Sequence, residues 1–300
     1  MKKILNLILI IAIQLVWTFS SFAQEDLLSI LGEEEEQTQY AFASFKTNRI
    51  INLHSIENTA AGVLDFKIAH RFGFLNGGLY EMFGLDQASM KLIFDYGITK
   101  NLQVGVGRTN FEKIYDGYAK YRFLHQSSGK KNMPISLSYV AGIAVKTEKF
   151  ADQTRKNYFT SRLYYHHQLL IARKFNNQLT VQLTPSLLHR NLVSSSSEKN
   201  DVYSIAVGAR QKLTKRIALN AEYIYNLDAN QVAASSRNSF SVGFDIETGG
   251  HVFQLHFTNS TSMVEKGFIA ETVGDWTKGD IHFGFNLSRV FTLVRPKVKL

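Results

Sequence analysis

His166 and His167 stand side by side in a run of alternating character, where Thr160, Arg162, Tyr164, His166 and Gln168 face Phe159, Leu163, Tyr165, Leu169 and Ile171. Two imidazoles are a common start for a transition-metal site. Neighbouring residues on a strand point to opposite faces, so this pair cannot close on one ion without a bulge. One ring is expected in an interior and the other at an interface. His54, His70 and His189 have no companion at a metal-ligand spacing, and a chain without cysteine has no thiolate to complete a set. No metal and no cofactor are expected. Catalysis finds no better footing. There is no G-x-S-x-G, no H-E-x-x-H and no P-loop. His166, His256 and His282 all fall on the polar side of their runs and serines are common, but no spacing ties them to an acid. The chain reads as a non-enzyme.

Charge at alternate positions is what recurs. Lys67, Arg71, Lys91, Lys120, Arg122, Lys146, Arg162, Arg210 and Lys212 share the polar phase of their segments with Asp65, Asp95, Glu222, Asp245 and Glu247. Such a set can line a polar, mildly cationic conduit or binding cavity. It can equally form a salt-bridged filling that closes a barrel.

The elements that would hold these residues are strands. Ile281, Phe283, Phe285 and Leu287 are apolar at every second position, with His282, Gly284, Asn286 and Ser288 between them. That period of two gives one oily and one wet face. Similar runs fill the chain from Gly62 onward and count to about twelve, an even number suited to an antiparallel, up-and-down transmembrane β-barrel. Charges on a lipid face cost several kcal/mol near the midplane, so the charged phase is expected to face inward. Barrels near eight strands are filled by side chains and those near sixteen are open; a width between the two favours filling over an open channel. Short turns at 98–101, 127–134, 174–177, 214–216 and 248–250 are expected to alternate strictly with longer links at 73–87, 108–116, 147–158, 190–201, 227–237 and 259–278. Pro185 is expected to mark a bend or the end of regular pairing.

Residues 1–23 read as a signal peptide. Lys2 and Lys3 precede an apolar run, and Ser21-Phe22-Ala23 supplies small residues at the positions a signal peptidase reads. Beyond Ala23 no window approaches the ~20 consecutive apolar residues of a spanning helix. A protein that crosses a membrane after Sec-type export must then do so with strands, in the outer membrane of a Gram-negative cell. Residues 24–61 read as a polar periplasmic leader followed by a plug or an extra strand, with Glu33 to Glu36 as a solvated acidic run. Residues 62–300 read as the barrel. The chain holds 34 Lys+Arg against 25 Asp+Glu, spread singly and not in a patch, so no nucleic-acid partner is expected.

Two stretches carry a family resemblance. They are Asn48-Arg49-Ile50-Ile51-Asn52-Leu53-His54-Ser55 and Gly62-Val63-Leu64-Asp65-Phe66-Lys67-Ile68-Ala69-His70-Arg71-Phe72-Gly73. With the looser strand pattern that follows, the chain resembles an outer-membrane β-barrel family of Bacteroidota-type bacteria, a domain of unknown function. The resemblance implies the barrel and its location and brings no functional residues with it. It draws attention to His54, His70 and Arg71. His70 lies on the apolar phase near a strand end, which suits an interfacial role.

The expected function is a porin-like outer-membrane barrel, a narrow pore or transporter for a small polar or anionic solute. The alternative is a closed barrel that serves as a scaffold or docking protein. The lipid bilayer is the expected partner, and no protein partner can be named.

Overall fold

The computed structural model describes residues 37–150, 152–154 and 156–295. The expected signal peptide, the first part of the expected leader and its acidic run lie outside the described residues.

Twelve strands close into one antiparallel barrel, each hydrogen-bonded to its sequence neighbours and the last to the first. They are β1 (Val63–Phe74), β2 (Ala88–Gly97), β3 (Leu102–Thr109), β4 (Ile114–Leu124), β5 (Ser136–Lys146), β6 (Leu163–Lys174), β7 (Leu179–Arg190), β8 (Asp201–Lys212), β9 (Ile217–Asn226), β10 (Ser239–Thr248), β11 (His251–Thr258) and β12 (His282–Thr292). Closure pairs Leu287 with Ile68 and leaves no sheet edge unpaired. The two faces follow the sequence. In β12, His282, Gly284, Asn286 and Ser288 are buried inside while Phe283, Phe285 and Leu287 alternate outward. Phe94, Val106, Tyr121, Phe123, Ile205, Tyr223, Phe244 and Phe257 are exposed around the outside. A continuous apolar belt on a closed barrel is the surface that hydrocarbon requires. Among the described residues no helix is long and apolar enough to cross a membrane.

Three expectations are corrected. Loop length does not alternate strictly. The link between β3 and β4 is a tight turn at 110–113, in which Glu112 and Lys113 adopt positive φ. The link between β4 and β5 runs over 125–135 and pairs Ser127–Ser128 with Gln39–Tyr40. Pro185 does not end regular pairing; it sits within β7 opposite Ile205 of β8. The β6–β7 register passes from Gln168↔Ser186 to Ile171↔Leu183, so the gap at Pro185 falls on the β6 side. The link after β11 is more than a loop, because it carries a helix, α1 (Glu265–Ala270), all six of whose residues are buried.

Residues 41–62 form no barrel strand. Ser44 to Ile56 is buried throughout apart from a half-buried Lys46. Within it, Ile50 N–H donates to the Leu53 carbonyl (2.8 Å) and Ser55 N–H to the Asn48 carbonyl (3.0 Å), which folds the segment into a hairpin turn. The hairpin enters and leaves at the end of the barrel where β1 begins and β12 finishes. The helix α1 comes from the other end. The two meet in the lumen, where Arg49 Nη1 lies 2.7 Å from Glu265 Oε1.

Candidate functional site

The lumen is the candidate site, and it is filled by the chain itself. One arc of wall offers apolar groups. Val140, Leu170, Ala172, Leu188, Val202, Ala206 and Ile224 point inward from β5 to β9 and form a single cluster with Phe45, Ile50, Leu53 and Ile56 of the hairpin and Phe268 and Ile269 of α1. Gly208 in β8 leaves the room that Ile50 occupies, since a Cβ there would stand 2.3 Å from Ile50 Cδ1.

The opposite arc offers charge. Asp95 accepts from Lys67 Nζ (2.7 Å), Asn48 Nδ2 (2.8 Å) and Tyr118 Oη (2.6 Å). Lys67 also meets Asp65 at 2.7 Å. Lys91 meets Asp116 at 2.8 Å and donates to the Met263 carbonyl. Lys120 Nζ donates to the carbonyls of Ser55 and Glu57, and Arg122 Nη2 to that of Ile56. Arg71 donates to the Ser260 carbonyl (2.6 Å) and to Asn52 Oδ1 (3.0 Å), and contacts His256 Nε2. Across the lumen, Glu222 accepts three successive hairpin amides, Ile51 N–H (3.2 Å), Asn52 N–H (2.9 Å) and Leu53 N–H (3.1 Å). Gln182 and Gln254 donate to the carbonyls of His54 and Ile50. These contacts satisfy much of the backbone of a segment that has no ladder of its own.

The hairpin and α1 share a buried ion pair. Burial alone would lower the Arg49 guanidinium, but Glu265 beside it outweighs that and raises it. Burial alone would raise the Glu265 carboxyl, but Arg49 holds it well below the usual carboxylate range. Burial, and then the charge of Arg49, push His54 well below its ordinary value, so its ring is neutral.

Beyond α1 the lumen opens into a vestibule of about 860 Å³ at the end that carries the longer loops. Lys146, Arg162, Arg190, Lys266, Glu112 and Glu271 are among its lining groups. Lys266 bridges Glu112 (2.8 Å) and Glu271 (2.5 Å). Burial would lower the Lys266 ammonium, but those two carboxylates outweigh it and raise it.

Of the residues expected inward, Asp65, Lys67, Arg71, Lys91, Asp95, Lys120, Arg122, His166, Arg210, Glu222, Asp245, His256 and His282 are buried on the inner side. Four others stand at the rims. Arg162 precedes β6 in a one-turn 3-10 helix, where its guanidinium donates to the Lys146 and Glu148 carbonyls and lies 3.9 Å over Phe150. The alternation reads from Phe159, but Phe159–Arg162 form that 3-10 turn and β6 begins at Leu163, which moves Arg162 from the lumen to the vestibule wall. Lys146, at the end of β5, pairs with Glu112. Lys212 ends β8 half-buried, and Glu247 pairs with Lys46 where the hairpin enters. Asp116 was readable and missed, since Asp116, Tyr118, Lys120 and Arg122 keep one phase and β4 simply starts earlier. Arg49, Asn48 and Glu265 carry no periodic signal. His167 faces outward and shares a 2.7 Å hydrogen bond with Tyr139 Oη, and His70 stacks on Phe285 on the same outer side.

A family model described as a membrane bound beta barrel domain (DUF5777) matches residues 45–291. The chain belongs to this family. The match begins at the hairpin, so the lumen segment is part of the domain. No curated protein matches the chain in sequence. Among solved structures it is similar to the KdgM porin, with 11% identity and a TM-score of 0.46 over 76% of this chain and 99% of that one. The NanC porin is comparable, with 7% identity and a TM-score of 0.46 over 76% and 98%. An outer membrane channel from Pseudomonas putida F1 gives 14% identity and a TM-score of 0.44 over 79% and 98%.

Proposed function

We propose that this protein is an outer-membrane barrel that forms a narrow, gated conduit for a small polar or anionic solute, with residues 44–59 as the gate. The observation that carries this reading is the way the hairpin is held. Lys120 and Arg122 donate to its backbone carbonyls, as they would to the oxygens of a guest. Among the described residues neither Lys120 nor Arg71 forms an ion pair with a carboxylate. Their partners are carbonyl and amide oxygens that the hairpin and the long loop bring in. Withdrawal of the hairpin would leave Lys120, Arg122 and Arg71 bare in the lumen, with Glu222 and Asp245 across from them. Such a passage favours anions. The vestibule faces the exterior in this reading, and the hairpin closes the periplasmic side.

A closed scaffold is the second reading, favoured by the apolar arc. Ile50, Leu53 and Ile56 are packed as a permanent core would be. Planar-bilayer recordings separate the two. The full chain is expected to stay shut or open briefly, and a variant with residues 44–59 replaced by a short Gly/Ser linker to conduct steadily, with chloride preferred over potassium. A linker variant that folds to a heat-modifiable barrel and conducts nothing would leave the scaffold.

A further inference from the structure

His54, His166 and Glu265 lie far apart in sequence and on three different elements: the hairpin, strand β6 and helix α1. The fold brings them together in the centre of the lumen, with one ligating atom from each within 4.8 Å of the others. All three are almost wholly buried, at 0%, 3% and 1% exposure. Among the described residues no other three metal-ligating side chains converge in this way.

Their hydrogen bonding is incomplete. Neither nitrogen of His54 has a hydrogen-bond partner, and neither do His166 Nε2 and Glu265 Oε2. His54 Nε2 stands 3.3 Å from Glu265 Oε1 but is not aligned for a hydrogen bond. Native interiors rarely leave buried polar atoms without partners, because each one has lost water without a replacement. A neutral imidazole has one lone pair and one N–H, so each of the three residues can offer a lone pair at this point, and a cation would take all three.

We propose that His54, His166 and Glu265 form a binding site for a divalent first-row transition ion of the zinc type. Two neutral imidazoles and one carboxylate are a donor set that zinc uses, with a fourth position left for water. Ligands at ~2.0–2.2 Å around a tetrahedral ion stand about 3.3 Å apart, which His54 Nε2 and Glu265 Oε1 already satisfy. The other two sides lie within 4.8 Å and need to close by at most about 1.5 Å, within reach of a side-chain rotation. Arg49 donates to Glu265 Oε1 at 2.7 Å, the orienting role that an outer partner plays for a ligating carboxylate. Gly142 of β5 makes room for His166, because a Cβ there would lie 2.5 Å from His166 Nε2. An ion at this point would tie the hairpin, the wall and α1 together. The site stands whether or not the barrel conducts.

The test uses tag-free, full-length protein refolded in detergent, stripped with chelator and then titrated with Zn²⁺ or Co²⁺ alone. About one ion per chain is expected to remain after desalting, with Co²⁺ giving the visible bands of a four- or five-coordinate site. His54→Gln, His166→Gln and Glu265→Gln should each lose the ion or weaken it by at least 10–100-fold, while His167→Gln, on the same strand but facing outward, should retain it. Barrel folding of each variant is read by heat-modifiable migration. If a variant fails to fold, X-ray absorption on the Co²⁺-loaded native protein decides whether two imidazoles coordinate. No retained ion in the native protein, or equal retention in the His54→Gln/His166→Gln double variant, would overturn the proposal.

Discussion

The two arcs of the barrel wall hold the same hairpin by different physics. From β5 to β9 the wall presents Val140, Leu170, Leu188 and Ile224 to Ile50, Leu53 and Ile56. From β1 to β4 it presents Lys67, Lys91, Asp95, Asp116 and Lys120. Apolar contact is non-directional and follows area and fit. Buried charge is directional and strict, because a lost partner leaves an unsolvated ion. The apolar arc therefore supplies adhesion, and the charged arc fixes the register in which the hairpin sits.

The contrast gives an ordered set of expectations. Asp95→Ala should do the most damage. It leaves Lys67, Asn48 and Tyr118 without their common acceptor, at a cost of about 3–5 kcal/mol. The loss is expected as a lower urea midpoint and as new proteolysis between residues 44 and 59. Ile50→Ala opens a cavity in the apolar arc and should cost about 3 kcal/mol by the same two readouts. If Ile50→Ala exceeds Asp95→Ala in both, the charged arc does not govern register. Glu222→Gln replaces one acceptor oxygen by a donor that faces donors, and a cost of about 1–3 kcal/mol is expected from the same urea titration.

A smaller effect is expected at the vestibule. Burial would raise the Glu112 carboxyl, but Lys266 and Lys146 outweigh it and hold it below its ordinary value. A depressed carboxylate contributes stability above its unfolded-state pKa and loses it as pH falls through the folded value. Acidification below the usual carboxylate range should therefore loosen the 110–113 turn from α1 before the barrel yields, visible as amide exchange in that turn. Glu112→Gln should abolish the pH dependence there. At the bottom of the series, Lys199→Ala removes only an exposed pair with Asp228 and should leave the urea midpoint unchanged.

Much of the barrel was legible because the strand code is local. Alternation at β12, β2 and β10 places side chains by the geometry of two adjacent peptides, so inward Lys91, Asp245 and His282 could be read directly. Boundaries were less secure: the positive-φ turn at Glu112 and Lys113 hid the start of β4, and with it Asp116. A further signal went unread. Val140, Leu170, Leu188, Val202 and Ile224 are apolar on the inner phase, and such residues on a wet face announce that something covers them.

The sequence by itself determined a closed, antiparallel, twelve-stranded membrane barrel with an apolar outside and a largely polar inside, because period-two patterning is written residue by residue and closure follows from the need to pair every edge. Only the tertiary structure decided what fills that inside. Residues 44–59 have no periodic pattern, and their path is set by partners such as Glu222, Gln254 and Glu265, more than a hundred residues away along the chain. The meeting of His54, His166 and Glu265 depends on three elements arriving at one point, and spacing along the chain encodes no such coincidence.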